Sequence, residues 1–99
     1  DVINNPDISS ALFRIVQEAL TNVMRHAQSN KVTIDLYNEG KDIVMSIADD
    51  GRGFDISKIG AKSKYGLIGM NERALSIGAI LSIHSQRNKG TTILLKIHR

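Results

Sequence analysis

Apolar positions near the start of the chain recur at helical spacing. Leu12, Ile15, Val16, Ala19, Leu20 and Val23 fall at the i, i+3, i+4 intervals of one stripe, which predicts an amphipathic helix from about Ile8 to Ala27. Asp7 or Ser9, following Pro6, supplies a cap, and Gln28-Ser29-Asn30 marks the end. The apolar period then switches to two. Lys31 to Asn38 alternates with Val32, Ile34 and Leu36 facing inward, Asn38-Glu39-Gly40-Lys41 forms a turn, and Asp42 to Asp49 is the partner strand. Phe54 to Tyr65 is polar, basic and glycine-bearing, the pattern of a mobile loop. Leu67 to Ile77 returns to helical spacing and stops at Gly78. Ala79 to Ser85 and Thr91 to His98 form a second hairpin around Arg87-Asn88-Lys89-Gly90. Helix, two strands, helix, two strands is the order of an α+β protein, a two-layer sandwich with helices on one face of a mixed sheet.

Composition narrows the class. Ninety-nine residues suffice for one domain, residues 1–99, with a single core and no repeat or linker. Apolar content of 41% and charged content of 23% are those of an ordinary globular chain. No apolar run approaches the length that spans a bilayer, and no signal sequence is visible, which argues against direct membrane contact. Beginning at Asp1 and not Met, the sequence reads as a piece of a longer protein. The absence of cysteine removes disulfides and thiolate metal sites. The net charge of +3 is mild, with Arg52, Lys58, Lys62 and Lys64 gathered around one loop that could serve phosphate more locally than nucleic acid. Phe13, Tyr37, Phe54 and Tyr65 form no stacking array, so nucleic acid is not an expected partner.

Candidate chemistry concentrates in four short stretches. At Ile47-Ala48-Asp49-Asp50-Gly51-Arg52-Gly53-Phe54 a strand ends on a carboxylate, and two glycines follow that permit a sharp turn and close backbone approach. This pattern serves a plain hairpin turn or a ligand loop equally well. On the first helix, Glu18, Asn22 and Arg25 share one line, with His26 a step round from it. That line is either a solvated polar face or a set of oxygen ligands and a cation suited to a Mg-nucleotide. Gly66 and Gly69 open the second helix, where N–H groups and the positive dipole end suit an anion. Their spacing fits neither the dinucleotide fingerprint nor the P-loop. Lys89-Gly90-Thr91-Thr92 sets a hydroxyl beside a glycine at the start of the last strand. His84 and His98 read as solvated strand-end residues, Met24 and Met70 as core filler, and Lys58, Lys62 and Lys64 as a solvated loop.

In their order these stretches resemble the ATP-binding domains of the gyrase, chaperone, histidine-kinase and MutL superfamily. Glu18 to Ala27 is similar to the N box, Asp49 to Gly53 to the first glycine box, Gly66 to Met70 to the second, and Gly90-Thr91 to the terminal Gly-Thr. Within that superfamily the chain looks most like the catalytic domain of bacterial sensor histidine kinases of the nitrate-sensor and lipid-desaturase-sensor type. The subgroup's N box, Q-E-A-L-T-N-x-x-[KR]-H, is matched by Gln17 to His26, and its G-L-x-G-M by Gly66 to Met70. The resemblance implies a Bergerat-type fold with ATP between the helical layer and the sheet.

The resemblance also implies roles. Asp49 would accept the adenine amino hydrogen, Gly53 would let the purine approach, and Thr91 would support the adenine edge through water. Asn22 would ligate Mg²⁺, Arg25 would pair with phosphate, and His26 would lie beside the nucleotide. Gly66 and Gly69 would free N–H groups for the phosphate tail, and Gly51, Leu67 and Met70 join the binding set as members of their boxes. Glu18 would either polarise a water, as in the superfamily's ATPases, or support the metal. The partners implied are ATP or ADP, a phosphoacceptor dimerisation domain of the parent kinase, and a cognate response regulator acting through that parent, in the cytoplasm. The loop from Asp55 to Lys64 is short beside the lids of many relatives, and no His-Asp acceptor helix is present. The alternatives are a stand-alone ATPase, a protein serine kinase of the anti-sigma-factor type, or a nucleotide-binding scaffold.

Overall fold

A computed structural model of the chain describes residues 5–25, 31–53, 61–86 and 88–98. Its first helix, α1, spans Pro6–Arg25. Asn5, and neither Asp7 nor Ser9, is the cap: its Oδ1 accepts the Asp7 N–H at 2.9 Å, and its carbonyl accepts the Ser9 N–H at 2.9 Å. Pro6 therefore sits at the first helical position, where its fixed φ suits the helix and its missing N–H costs nothing. Such a cap contributes about 1 kcal/mol. The predicted end of this helix, at Ala27 to Asn30, lies outside the described residues.

The strands β1 (Val32–Glu39), β2 (Asp42–Asp49), β3 (Ala79–Ser85) and β4 (Thr91–His98) lie in the order β1-β2-β4-β3. Every neighbouring pair is antiparallel, so the sheet is not mixed. The reason is the placement of β4. It enters between β2 and β3 and runs against both, so these two point the same way without sharing hydrogen bonds.

Register sets apolar rows across the face that carries the helices. Ile47, Ile93 and Ile83 stand opposite one another, as do Met45, Leu95 and Leu81. These rows meet Ile15 and Ala19 of α1 and Met70 and Ala74 of the second helix, α2 (Ala61–Ser76), in one core. Each large side chain buried there contributes roughly 1.5–3 kcal/mol.

The inward assignment for β1 leads to burial only at Val32, which packs partly buried against the core. Ile34 and Leu36 point to the helix-bearing side, opposite Ile47 and Met45, yet remain 47% and 57% exposed. The strand is at the sheet edge, and the helices pack over β2 and β3 instead. Alternation decides which way a side chain points, but coverage needs a second layer.

The second helix also departs from expectation, beginning at Ala61 and not at Leu67. Residues 61–65 are therefore helical and not loop. Ala and Lys are strong helix formers, and a short Ala-Lys run carries no apolar period that would betray a helix. Gly78 ends α2 as expected, with φ +71° and its N–H bonded to the Leu75 carbonyl at 3.1 Å. The rest of the expected loop, 54–60, lies outside the described residues.

Candidate functional site

The end of β2 is the foundation of the site. Asp49 stands directly opposite Thr91, the first residue of β4, and Thr91 stands opposite Ser85, the last residue of β3. All three project to the helix-bearing face, continuing the apolar rows as a polar one. Asp49 Oδ1 accepts the Gly51 N–H at 2.8 Å, which bends the chain sharply after the strand and orients the carboxylate. Beside it, the Asp50 Oδ1 accepts the Lys31 N–H at 3.0 Å, tying the loop to the entry of β1.

The glycines here serve the protein backbone itself. Gly53 has φ +62°, and a Cβ on it would overlap the Gln86 carbonyl and stand 2.8 Å from the Gly90 carbonyl oxygen. Gly90 has φ +79°, and a Cβ there would run into the Asp49 carbonyl. The Arg52 carbonyl accepts the Asn88 N–H. The loop after β2 and the β3–β4 turn are thus seated on one another with no room for side chains between them.

A cleft opens beside this seat, lined by Ala19, Asn22 and Val23 of α1 and by Asp49, Arg52, Gly53 and Thr91. Asn22, Asp49, Gly53 and Thr91, four of the residues singled out in the sequence, meet there. Asn22 Oδ1 is buried and has no hydrogen-bond partner among the described residues. An unsatisfied buried acceptor costs about 1–3 kcal/mol, so this atom is poised for a donor or a cation. Ala19 and Val23 were not recognised from the sequence as lining residues, and Arg52 was read only as part of a basic loop that could serve phosphate. Helical phase placed Ala19 and Val23 on the apolar stripe, and only the packing shows that this stripe continues beyond the core into the cleft.

Other candidates stand elsewhere. Met70 is fully buried in the core and is not among the residues that line the cleft. It belongs to the filler reading, because the inner face of α2 must close the sheet. Leu67 packs partly buried against the same core. Gly66 and Gly69 lie inside α2 and do not open it. In this conformation they offer no helix N-terminus, because α2 starts several residues earlier. Gly66 instead gives room to α1: a Cβ on it would collide with Glu18 Oε1 and lie 3.2 Å from Glu18 Cδ. Glu18 is thereby held at the contact between the two helices. Gly51 is buried at the bend after Asp49. His26 and the Arg25 side chain lie outside the described residues, as do Lys58 and the Lys62 side chain. His84 is exposed on β3, and exposed His98 has its Nδ1 3.1 Å from Asp42 Oδ1 on the outer face. Among the described residues no cluster of three or more His, Cys, Asp or Glu could hold a metal. No described helix is long and apolar enough to cross a membrane.

The chain is thus a two-helix layer on a four-stranded antiparallel sheet, with a cleft where a strand-end carboxylate meets the first helix. The chain belongs to the family of histidine kinase-, DNA gyrase B- and HSP90-like ATPases, whose model matches residues 7–99. It is 40% identical over 97 residues to the sensor histidine kinase LiaS of Bacillus subtilis, an alignment covering 98% of this chain and 27% of LiaS. It is 44% identical over 89 residues to the sensor protein VraS of Staphylococcus saprophyticus, covering 90% of this chain and 25% of VraS. The chain therefore spans about a quarter of the length of these curated relatives. Among solved structures, the mycobacterial sensor histidine kinase MprB superposes with a TM-score of 0.72 at 21% identity, over 91% of this chain and 71% of that one. The histidine kinase domain of the Erythrobacter litoralis EL346 blue-light activated kinase gives 0.69 at 21% identity, over 89% and 43%. At these identities the two structures speak to the fold, which they share with this chain.

Proposed function

We propose that residues 1–99 form the catalytic and ATP-binding domain of a two-component sensor histidine kinase of the nitrate-sensor and desaturase-sensor type, acting in the cytoplasm. The domain binds Mg-ATP in the cleft between α1 and the ends of β2 and β4. It presents the γ-phosphoryl group to a histidine of a separate dimerisation domain, from which a response regulator receives it. The observation that carries this reading is the meeting of Asn22, Asp49 and Thr91, from three distant stretches, around one opening.

Each residue has a task that its chemistry suits. Asp49 spends Oδ1 on Gly51 and keeps Oδ2 as an acceptor for the adenine amino group. Thr91 borders the same base edge, and Ala19 and Val23 offer apolar surface to the purine plane. Arg52 on the cleft lining, with Arg25 and His26 following Asn22 closely in the sequence, suits the phosphate tail. Mg²⁺ fits the buried oxygen of Asn22, since it keeps several waters and takes other ligands from phosphate rather than from a protein cage. Bound there with Glu18 one turn away, it would neutralise charge on the phosphate oxygens. For Gly66 and Gly69 to reach phosphate, the first turns of α2 must unwind. Each glycine eases that by roughly 0.5–1 kcal/mol relative to alanine.

Calorimetric titration tests the reading. Saturable binding of Mg-ATP is expected, and nucleotide at a hundred times its dissociation constant should stabilise the fold by about 2.7 kcal/mol. Asp49→Asn keeps an oxygen for Gly51 but turns an amide donor toward the base. It should weaken ATP by about 10-fold to 150-fold, the worth of a charged hydrogen bond, with the unfolding temperature nearly unchanged. Absence of binding heat in the unaltered chain, or equal affinity in the variant, would overturn the proposal.

A further inference from the structure

The polar row at the end of the sheet has a third member, whose geometry sets the polarity of the second. Ser85 Oγ donates toward the Gly90 carbonyl at 3.4 Å and lies 2.8 Å from Thr91 Oγ1, both partly buried. A hydroxyl carries one proton. The 2.8 Å contact can run in either direction, and the Ser85 bond to the Gly90 carbonyl assigns it to the Thr91 proton, donated to Ser85 Oγ. Thr91 then turns only lone pairs toward the cleft that it lines. Its cross-strand neighbour Asp49 is also an acceptor.

We infer that Ser85 is a positioning residue for base selection: by taking the Thr91 proton it makes the Asp49–Thr91 edge acceptor-only, so the cleft takes a purine bearing an exocyclic amino group and rejects its carbonyl analogue. This rests on the nucleotide reading proposed above and adds a determinant outside the cleft lining. An amino group offers two N–H donors to two acceptors. A carbonyl at the same ring position meets two oxygens and leaves them unpaired, the arrangement that discriminates most strongly against a near-isostere.

The test compares ATP with inosine triphosphate, which carries that carbonyl, by competition titration on the 99-residue chain. The unaltered chain should prefer ATP. In Ser85→Ala the Thr91 hydroxyl loses its partner and can turn its proton into the cleft. ATP should weaken about threefold to tenfold, inosine triphosphate should gain, and their ratio should shrink by at least about fivefold. Ser85→Thr keeps the hydroxyl on a strand-favouring residue and should restore the ratio. In a Thr91→Val background, Ser85→Ala should have no further effect on the ratio. If both nucleotides weaken equally in Ser85→Ala, Ser85 is merely structural and the inference fails while the nucleotide reading stands. If the unaltered chain binds neither, the nucleotide reading itself has failed.

Discussion

Asn22 is the residue whose surroundings ask most plainly for something more. An asparagine retained for structure would have its oxygen satisfied, and this one does not among the described residues. Asn22→Leu, close to isosteric, removes a buried acceptor that the protein leaves unpaired. Urea unfolding should therefore show unchanged stability or a gain of up to about 1–3 kcal/mol. In the same variant, ATP affinity with Mg²⁺ should fall to the level measured in chelator, and affinity in chelator should stay near that of the parent. A variant that loses stability, or loses both forms of binding equally, would make Asn22 a structural contact. Asp49 and Thr91 were legible in the sequence because each ends or starts a strand beside a glycine, a local signal. Arg52 was legible only as part of a basic loop, and Ser85 not at all, because its part in the site depends on β4 becoming the neighbour of β2. The hairpin reading sets residue 85 against residue 91, but no local pattern sets either beside residue 49.

At the scale of elements, apolar runs bounded by turn residues marked β2, β3 and β4 at the bounds observed. Alternation mistook the surroundings of β1, since it describes equally well an edge strand that no helix covers. The start of α2 was hidden for the opposite reason. A helix that begins in Ala, Lys and Ser shows propensity but no period. The contact of the β2 loop with the β3–β4 turn yields a prediction of its own. Gly78 and Gly90 both have positive φ, but a Cβ on Gly78 meets nothing within 4 Å, whereas one on Gly90 meets the Asp49 carbonyl. Gly78→Ala should cost the backbone term alone, about 1–2 kcal/mol. Gly90→Ala should cost clearly more and should also weaken ATP, because it pushes Asp49 away from Thr91. Thermal unfolding of the pair checks this, at about 4–8 °C per kcal/mol for a domain of this size. Equal losses in the two variants would show that the seat is pliable.

For the whole molecule, the division of labour is the testable matter. Of the chain's histidines, His84 and His98 lie on strands and His26 lies outside the described residues. None stands in a His-Asp helical context. Incubated with radiolabelled ATP, the 99-residue chain should gain no acid-labile label and should hydrolyse ATP only slowly. A phosphoacceptor dimerisation domain added in trans should become labelled, and it alone. Tethering is worth up to about 7–11 kcal/mol of barrier, so this labelling should be far slower than in a joined protein. Label on any histidine of the chain itself would reject the proposed roles.

The position of β4 also governs when a working pocket can exist. It follows every other strand in the sequence yet occupies a central place, and it is the neighbour through which β3 joins the sheet. On a ribosome, α1, β1, β2 and α2 emerge first and can pack in part, but Asp49 has no Thr91 to face until the last strand is out. Pairings between strands so far apart in sequence are slow to close. Affinity for nucleotide therefore arrives with the final strand, and ligand can act as a clamp on a finished sheet but not as a template for an unfinished one.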